Sequence, residues 1–134
     1  VVARFSPSTP FVTSKTINYS ITKLLANESF DSLRPVSALS HHPYKAWLKD
    51  GNLLKPAFDK SVVGYDEPHN LPRQLFPEMY AHLGASGVAW TNTLINQHST
   101  SGNRVGFFEI DPIEAFDINS LADIKLAEAM LSIS

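Results

Sequence analysis

Val1-Val2-Ala3-Arg4-Phe5, then Ile17, Ile21, Leu24 and Leu25 at helical spacing within residues 14–27, then Ser32-Leu33-Arg34-Pro35-Val36-Ser37-Ala38-Leu39-Ser40 form the stretch that decides the fold class. The first run is short and apolar and reads as the middle of a buried strand. It is broken at Ser6-Pro7-Ser8-Thr9-Pro10, where two prolines withdraw N–H groups from any ladder. The second run is an amphipathic helix with Thr13 or Ser14 available as N-cap. The third alternates partially around a proline and reads as a strand with one irregular position. Strand, helix, strand is a crossover unit, so the strands near residues 1–5 and 32–40 are expected to run parallel, with the helix packed on them and a right-handed connection.

Outward from this unit the pattern changes. Residues 41–80 carry Pro43, Pro56, Pro68, Pro72 and Pro77, together with a hairpin turn at Lys49-Asp50-Gly51-Asn52. This segment reads as an excursion from the sheet. Residues 85–93 contain a small apolar run, 99–103 a turn, and 104–110 another strand, which Pro112 ends. The last element is a helix, with Ser120 as cap, Asp123 three residues on, and an apolar stripe of Leu121, Ile124, Ala127, Met130 and Leu131.

Composition bounds the function. A chain of 134 residues has the length of one domain, and 43% hydrophobic with 18% charged residues is ordinary globular usage. Eleven basic against thirteen acidic residues give a net charge of -2, with no basic block to neutralise a row of phosphates, which argues against a nucleic-acid partner. The absence of cysteine removes disulfides, thiolate metal sites and cysteine nucleophiles, and fits a cytoplasmic location. No apolar stretch reaches the length of a membrane span. The chain lacks an initiator methionine and opens inside a strand pattern, so it is expected to be a piece of a longer protein.

Four segments carry a family resemblance. Phe116-Asp117-Ile118-Asn119-Ser120-Leu121-Ala122-Asp123-Ile124-Lys125-Leu126-Ala127-Glu128 closely resembles the C-terminal signature of acylneuraminate cytidylyltransferases. In the same order, Ser6-Pro7-Ser8-Thr9-Pro10 resembles the family's proline-threonine-serine-proline loop, His42-Pro43-Tyr44-Lys45 its histidine-proline-aliphatic-lysine, and Arg73-Gln74-Leu75-Phe76-Pro77 its arginine-glutamine segment. The resemblance covers essentially all of this chain but only roughly the last three-fifths of a family member.

It implies a three-layer, Rossmann-like nucleotide-diphospho-sugar transferase fold, incomplete at the N-terminus, with a dimer-forming excursion at about residues 41–80. It also implies CMP transfer from CTP to an acidic, sialic-acid-like sugar with release of pyrophosphate. The glycine- and basic-rich loop that cradles the triphosphate would precede this chain, so inactivity in isolation is expected. The alternative is a non-catalytic remnant or dimerisation module of the same fold.

The resemblance assigns Asp117 as the catalytic carboxylate and Mg²⁺ ligand, with Asn119 as second ligand, and Lys45, Arg73 and Gln74 as substrate-binding residues. The chemistry fits these types: carboxylate oxygen suits a hard cation, and Arg73 offers a planar fork to a carboxylate. Asn119 stands where the family usually has aspartate, and its competing role is to close the strand before the helix cap. Val12 and Ala81 replace two further arginines, leaving fewer cations for the sugar and implying a variant acid or decayed activity.

Other apparent motifs fail on context. Ser20-Ile21-Thr22-Lys23 lies in an amphipathic helix without the companion motifs of penicillin-recognising enzymes. Adjacent His41 and His42 point opposite ways on an extended chain, so they do not share one metal. Trp47, Phe58, Trp90, Phe107 and Phe108 read as core or interface aromatics.

Overall fold

A computed structural model of the protein describes residues 1–84 and 86–133. It is an α/β structure that divides into two compact units, Val1–Ser37 with Ala81–Ser134, and Ala38–Tyr80. No helix among the described residues is long and apolar enough to cross a membrane.

The first unit is built on a mixed sheet. Strand β1 (Val2–Arg4) leads through the proline loop to helix α1 (Ser14–Leu25), and the chain returns as β2 (Ser32–Ala38). These strands run in the same direction, as expected, but they are not neighbours. A strand from much later in the chain, Gly87–Ala89, lies antiparallel between them, with Val88 opposite both Ala3 and Leu33. On the far edge of β2 the strand Val105–Glu109 pairs in parallel, from Ser32 opposite Val105 to Val36 opposite Glu109. β2 is therefore the central strand and is buried along most of its length. β1 corrects the expectation of a buried strand: it pairs on one side only and all three residues are exposed.

α1 starts where Thr13 accepts the Thr16 N–H on its hydroxyl, a side-chain cap for an otherwise orphan donor. The face it buries differs from the apolar stripe in the sequence. Thr16, Ser20 and Leu24, spaced four apart, are buried, whereas Leu25 is 54% exposed. Ser20 satisfies its hydroxyl internally by donating to the Thr16 carbonyl at 2.8 Å, which lets a small polar side chain sit against the sheet. The core consists of Leu24, Leu33, Val88 and Phe108, with Ile21, Phe30 and Trp90 packed around it. Phe108 and Trp90 thus belong to the core; Phe107, on the alternate face, is exposed.

The second unit holds the hairpin of β3 (Trp47–Asp50) and β4 (Leu53–Pro56), turning at residues 51–52 as the sequence predicts, followed by the single helical turn α2 (Lys60–Val63). Its packing is aromatic. His42, Tyr44 and Phe76 meet pairwise at ring-centroid distances of 4.9–5.6 Å, and Trp47 stacks on His69 at 4.1 Å. Both hairpin strands are exposed throughout, including Leu48, Leu53 and Leu54, so Trp47 and Phe58 are surface rather than core aromatics.

The remaining elements complete the first unit. β5 (Tyr80–His82) runs beside the upper part of β2, with Leu83 N–H donating to the Pro35 carbonyl at 3.0 Å, and β6 is the Gly87–Ala89 strand described above. α3 (Thr91–Asn96) follows, β7 is Val105–Glu109, and α4 (Leu121–Ile133) ends the chain. α4 begins with the expected capping box: Asp123 N–H donates to Ser120 Oγ, and the Asp123 carboxylate accepts from the Ser120 N–H at 2.8 Å. Its carboxyl is held below the usual range by hydrogen bonds from the Ser120 hydroxyl and the Asn119 N–H. The apolar stripe of α4 departs from expectation, since only Ala127 is buried and Leu121, Ile124 and Leu131 are exposed.

Candidate functional site

Two clusters contain the residues that the sequence singles out, one in each unit. In the first unit the organising feature is a bulge. Between Pro35 opposite Leu83 and Leu33 opposite Val88, β2 advances by two residues and its partner by five. Gly84 and Ser86 lie in the resulting bulge, and Gly84 adopts φ +46, a conformation glycine enters without steric cost. A Cβ there would lie 3.3 Å from Thr9 Cγ2, 3.6 Å from Ser6 Cβ and 3.7 Å from Asp117 Oδ2. The proline loop, the bulge and Asp117 therefore converge on one point.

Hydrogen bonds fix this arrangement. Ser6 N–H donates to Ser86 Oγ at 3.1 Å, the Ser6 and Ser8 hydroxyls are 2.7 Å apart, and Thr9 Oγ1 donates to the Ser6 carbonyl at 2.7 Å. The Ile118 N–H donates to the Ser8 carbonyl at 2.8 Å. Arg34 braces the bulge by donating to the Ser86 and Thr100 carbonyls and to Ser101 Oγ. Burial, and secondarily the charge of Arg4, pulls the Arg34 pKa below its usual value.

Asp117 Oδ1 is buried and has no hydrogen-bond partner among the described residues. An orphaned carboxylate oxygen costs free energy unless a cation or donor arrives, so this atom has the chemistry a hard cation needs. Among the described residues no three His, Cys, Asp or Glu side chains gather as a metal cluster. Magnesium does not need one, because it is commonly held by one or two carboxylates together with substrate phosphates and water. Asp117 fits such a role. Asn119 is exposed; its N–H donates to Asp123 Oδ2 at 3.0 Å and its side-chain amide to the Asp117 carbonyl at 3.4 Å, contacts that also serve the helix start. Asp123 Oδ2 is committed to capping and accepts three hydrogen bonds.

In the second unit Lys45 and Arg73 share an open cavity of about 440 Å³ with Ser40, His41 and His42. Lys45 ends a 3-10 turn that begins at Pro43, and Arg73 opens another. Arg73 Nη1 donates to the Ser40 carbonyl at 3.2 Å, which orients the guanidinium toward the cavity wall. Gln74 lines an adjoining cavity of about 350 Å³ that Arg73 and His42 also border. His42 is 9% exposed. Its Nδ1 accepts from the Tyr44 N–H at 3.2 Å, so the Nε2 that lies 2.9 Å from the Pro77 carbonyl must be the protonated nitrogen. The imidazole thereby ties the Lys45 turn to the segment following Arg73 and Gln74. His41, its neighbour, is exposed, with its Nδ1 3.3 Å from Ser40 Oγ.

Lys45, Arg73 and Gln74 are thus grouped in the second unit, while Asp117 and Asn119 lie in the first. Sequence reasoning missed Gly84, Ser86 and Arg34. For Gly84 a signal existed: a glycine just after the strand-like Tyr80-Ala81-His82-Leu83 marks a bulge or a close backbone approach. No protein-family model matches the chain, and no match is found among curated proteins.

Proposed function

We propose that this chain is the sugar-side and metal-side portion of a cytidylyltransferase of the acylneuraminate type, in a protein that joins CMP from CTP to an acidic, sialic-acid-like sugar and releases pyrophosphate. The finer fold reading, a three-layer Rossmann-like nucleotide-diphospho-sugar transferase, belongs to the same proposal, as do Mg²⁺ as cofactor and a cytoplasmic location. The observation that carries it is the convergence at Gly84: the Ser6-to-Pro10 loop and Asp117, whose segments each resemble a motif of one family, meet there although more than a hundred residues apart. Two independent motif matches that meet in space support a shared site better than either alone.

In this reading Lys45 and Arg73 hold the sugar carboxylate, Arg73 through its planar fork, while Gln74 donates and accepts at the sugar hydroxyls. Asp117 offers its orphaned oxygen to the metal. Bound magnesium would neutralise phosphate charge and orient the attacking anomeric oxygen. No glycine- and basic-rich triphosphate loop occurs among these 134 residues, so the chain alone is proposed to bind without turning over.

One observation favours a second reading, a dimerisation module. The hairpin exposes Leu48, Leu53 and Leu54, with Leu53 at 75% exposure, an apolar surface suited to a second copy. The homodimer is compatible with both readings. Mixing the chain with CTP, magnesium and a sialic acid separates them. Sugar binding without pyrophosphate release supports the first reading, and release would show in addition that the chain turns over alone; absence of any sugar binding, in a preparation that still dimerises, leaves the module.

A further inference from the structure

Asp117 lies in residues 116–119, which form no helix or strand, yet its Oδ1 is held in a buried position without a hydrogen-bond partner among the described residues. A backbone free to move would swing that carboxylate into water, so something must fix the segment. Three tethers do so, all against residues 8–16. Ile118 N–H donates to the Ser8 carbonyl at 2.8 Å, Phe116 packs on Phe11 with ring centroids 6.0 Å apart, and the Glu114 carboxylate accepts from the Thr13 and Thr16 hydroxyls. The partners ascend from 8 to 16 as the segment descends from 118 to 114, so the two stretches lie antiparallel.

Only the Glu114 tether is ionic. It sits on the first turn of α1, which has no acidic residue of its own there, so the helix gains its N-terminal anion from a segment about a hundred residues later. Thr16 is buried, and the Thr13 hydroxyl both caps the Thr16 N–H and faces Glu114, so the clamp and the helix cap share atoms.

We propose that Glu114 is the positioning residue for Asp117: its clamp on Thr13 and Thr16 sets residues 114–118 in register with the proline loop and holds the Asp117 carboxylate at the Gly84 bulge. The functional weight of this inference rests on the reading of Asp117 as the metal-side group; the clamp itself does not. Glu114 touches no reacting atom and acts through the backbone. Glutamine at this position keeps an oxygen for the Thr16 hydroxyl and an amide that can donate to Thr13 Oγ1, so it retains the shape and hydrogen bonds of the clamp and removes only the charge.

The test uses the whole chain and two readouts, amide exchange at Ile118 and paramagnetic broadening by Mn²⁺ alone at Gly84 and Ser8. In Glu114→Ala the Ile118 amide is expected to exchange about tenfold faster and the Mn²⁺ midpoint to rise about tenfold, the range seen when an outer-shell support of a metal site is removed. Glu114→Gln should stay within about threefold of the parent in both, in line with its retained hydrogen bonds. Unchanged Ile118 exchange in Glu114→Ala overturns the proposal. If the parent shows no broadening near Asp117, the metal reading fails separately, and Ile118 exchange alone decides the clamp. Should Glu114→Ala not fold, Thr16→Val and Thr16→Ser ask the same question: valine should reproduce the faster exchange and serine should not, and equal behaviour of the two overturns the clamp.

Discussion

Replacing Leu24 by alanine should cost far more than the same change at its neighbour Leu25, although both lie on the apolar pattern of α1. Leu24 is fully buried among Leu33, Val88 and Phe108, while Leu25 is 54% exposed. Truncating Leu24 removes three carbon atoms from the core, about 2.4 kcal/mol of transfer free energy, and the cavity left under the sheet brings the cost to about 3 kcal/mol. For a chain of 134 residues the unfolding entropy is about 0.3 kcal/mol/K, so the melting temperature should fall by about 10 °C. Leu25→Ala should stay within about 0.5 kcal/mol, because little area changes and alanine is at least as good a helix former. Thermal melts followed by circular dichroism compare the two. Equal losses, or a larger loss at Leu25, would refute the assignment of the buried face to Thr16, Ser20 and Leu24.

Three further outcomes follow from particular contacts. Asp31 is buried and accepts the Arg104 and Asn103 N–H groups at 2.9 and 2.8 Å and the Arg104 guanidinium, so its carboxyl is held below the ordinary value of 3.8. Its contribution to stability is therefore present above that ordinary value and is lost as pH falls through the lower folded-state value; Asp31→Asn should flatten acid unfolding curves below pH about 4, and parallel curves for both proteins would contradict this. In an active protein containing this chain, Asp117→Ala should abolish turnover, a loss of several kcal/mol in transition-state stabilisation, and Asn119→Asp should tighten magnesium binding; equal or weaker binding by the aspartate variant in magnesium titrations would assign Asn119 to the helix start alone. Leu53→Lys with Leu54→Lys should convert a homodimer to monomer by light scattering, since two charges on the exposed hairpin oppose apolar contact, and a parent that is monomeric at high micromolar concentration would remove the dimer.

What local chemistry controls was legible in the sequence. The Thr13 cap, the Ser120 and Asp123 capping box and the turn at Gly51-Asn52 each involve residues within four positions of one another, and each occurs where the pattern puts it. The sheet order was not legible, because Gly87-Val88-Ala89 is too short and small to announce a strand and enters between β1 and β2 from more than fifty residues away. Burial on α1 also escaped the pattern. Ser20 reads as polar but satisfies its hydroxyl on the helix's own backbone, which frees that face for the core. At the candidate site, Lys45 and Arg73 were found through a resemblance rather than through periodicity, and their common cavity is a tertiary result. Glu114 carried no signal at all, since an acid beside a proline turn is ordinary until Thr13 and Thr16 are seen against it.

The central claim, that this chain carries the acid-sugar side of a cytidylyltransferase site, can be tested without the triphosphate. Titration of the chain with N-acetylneuraminic acid, followed by amide NMR shifts, should perturb residues 41–46 together with Arg73 and Gln74, with a dissociation constant of about 1 mM, equivalent to about 4 kcal/mol. Arg73→Ala should weaken that binding by tenfold or more, as expected for about 1.5–3 kcal/mol from hydrogen bonds to a charged group. Neutral N-acetylmannosamine should leave the same residues unmoved. Absence of shifts at high millimolar sialic acid, or equal shifts with the neutral sugar, would contradict the claim.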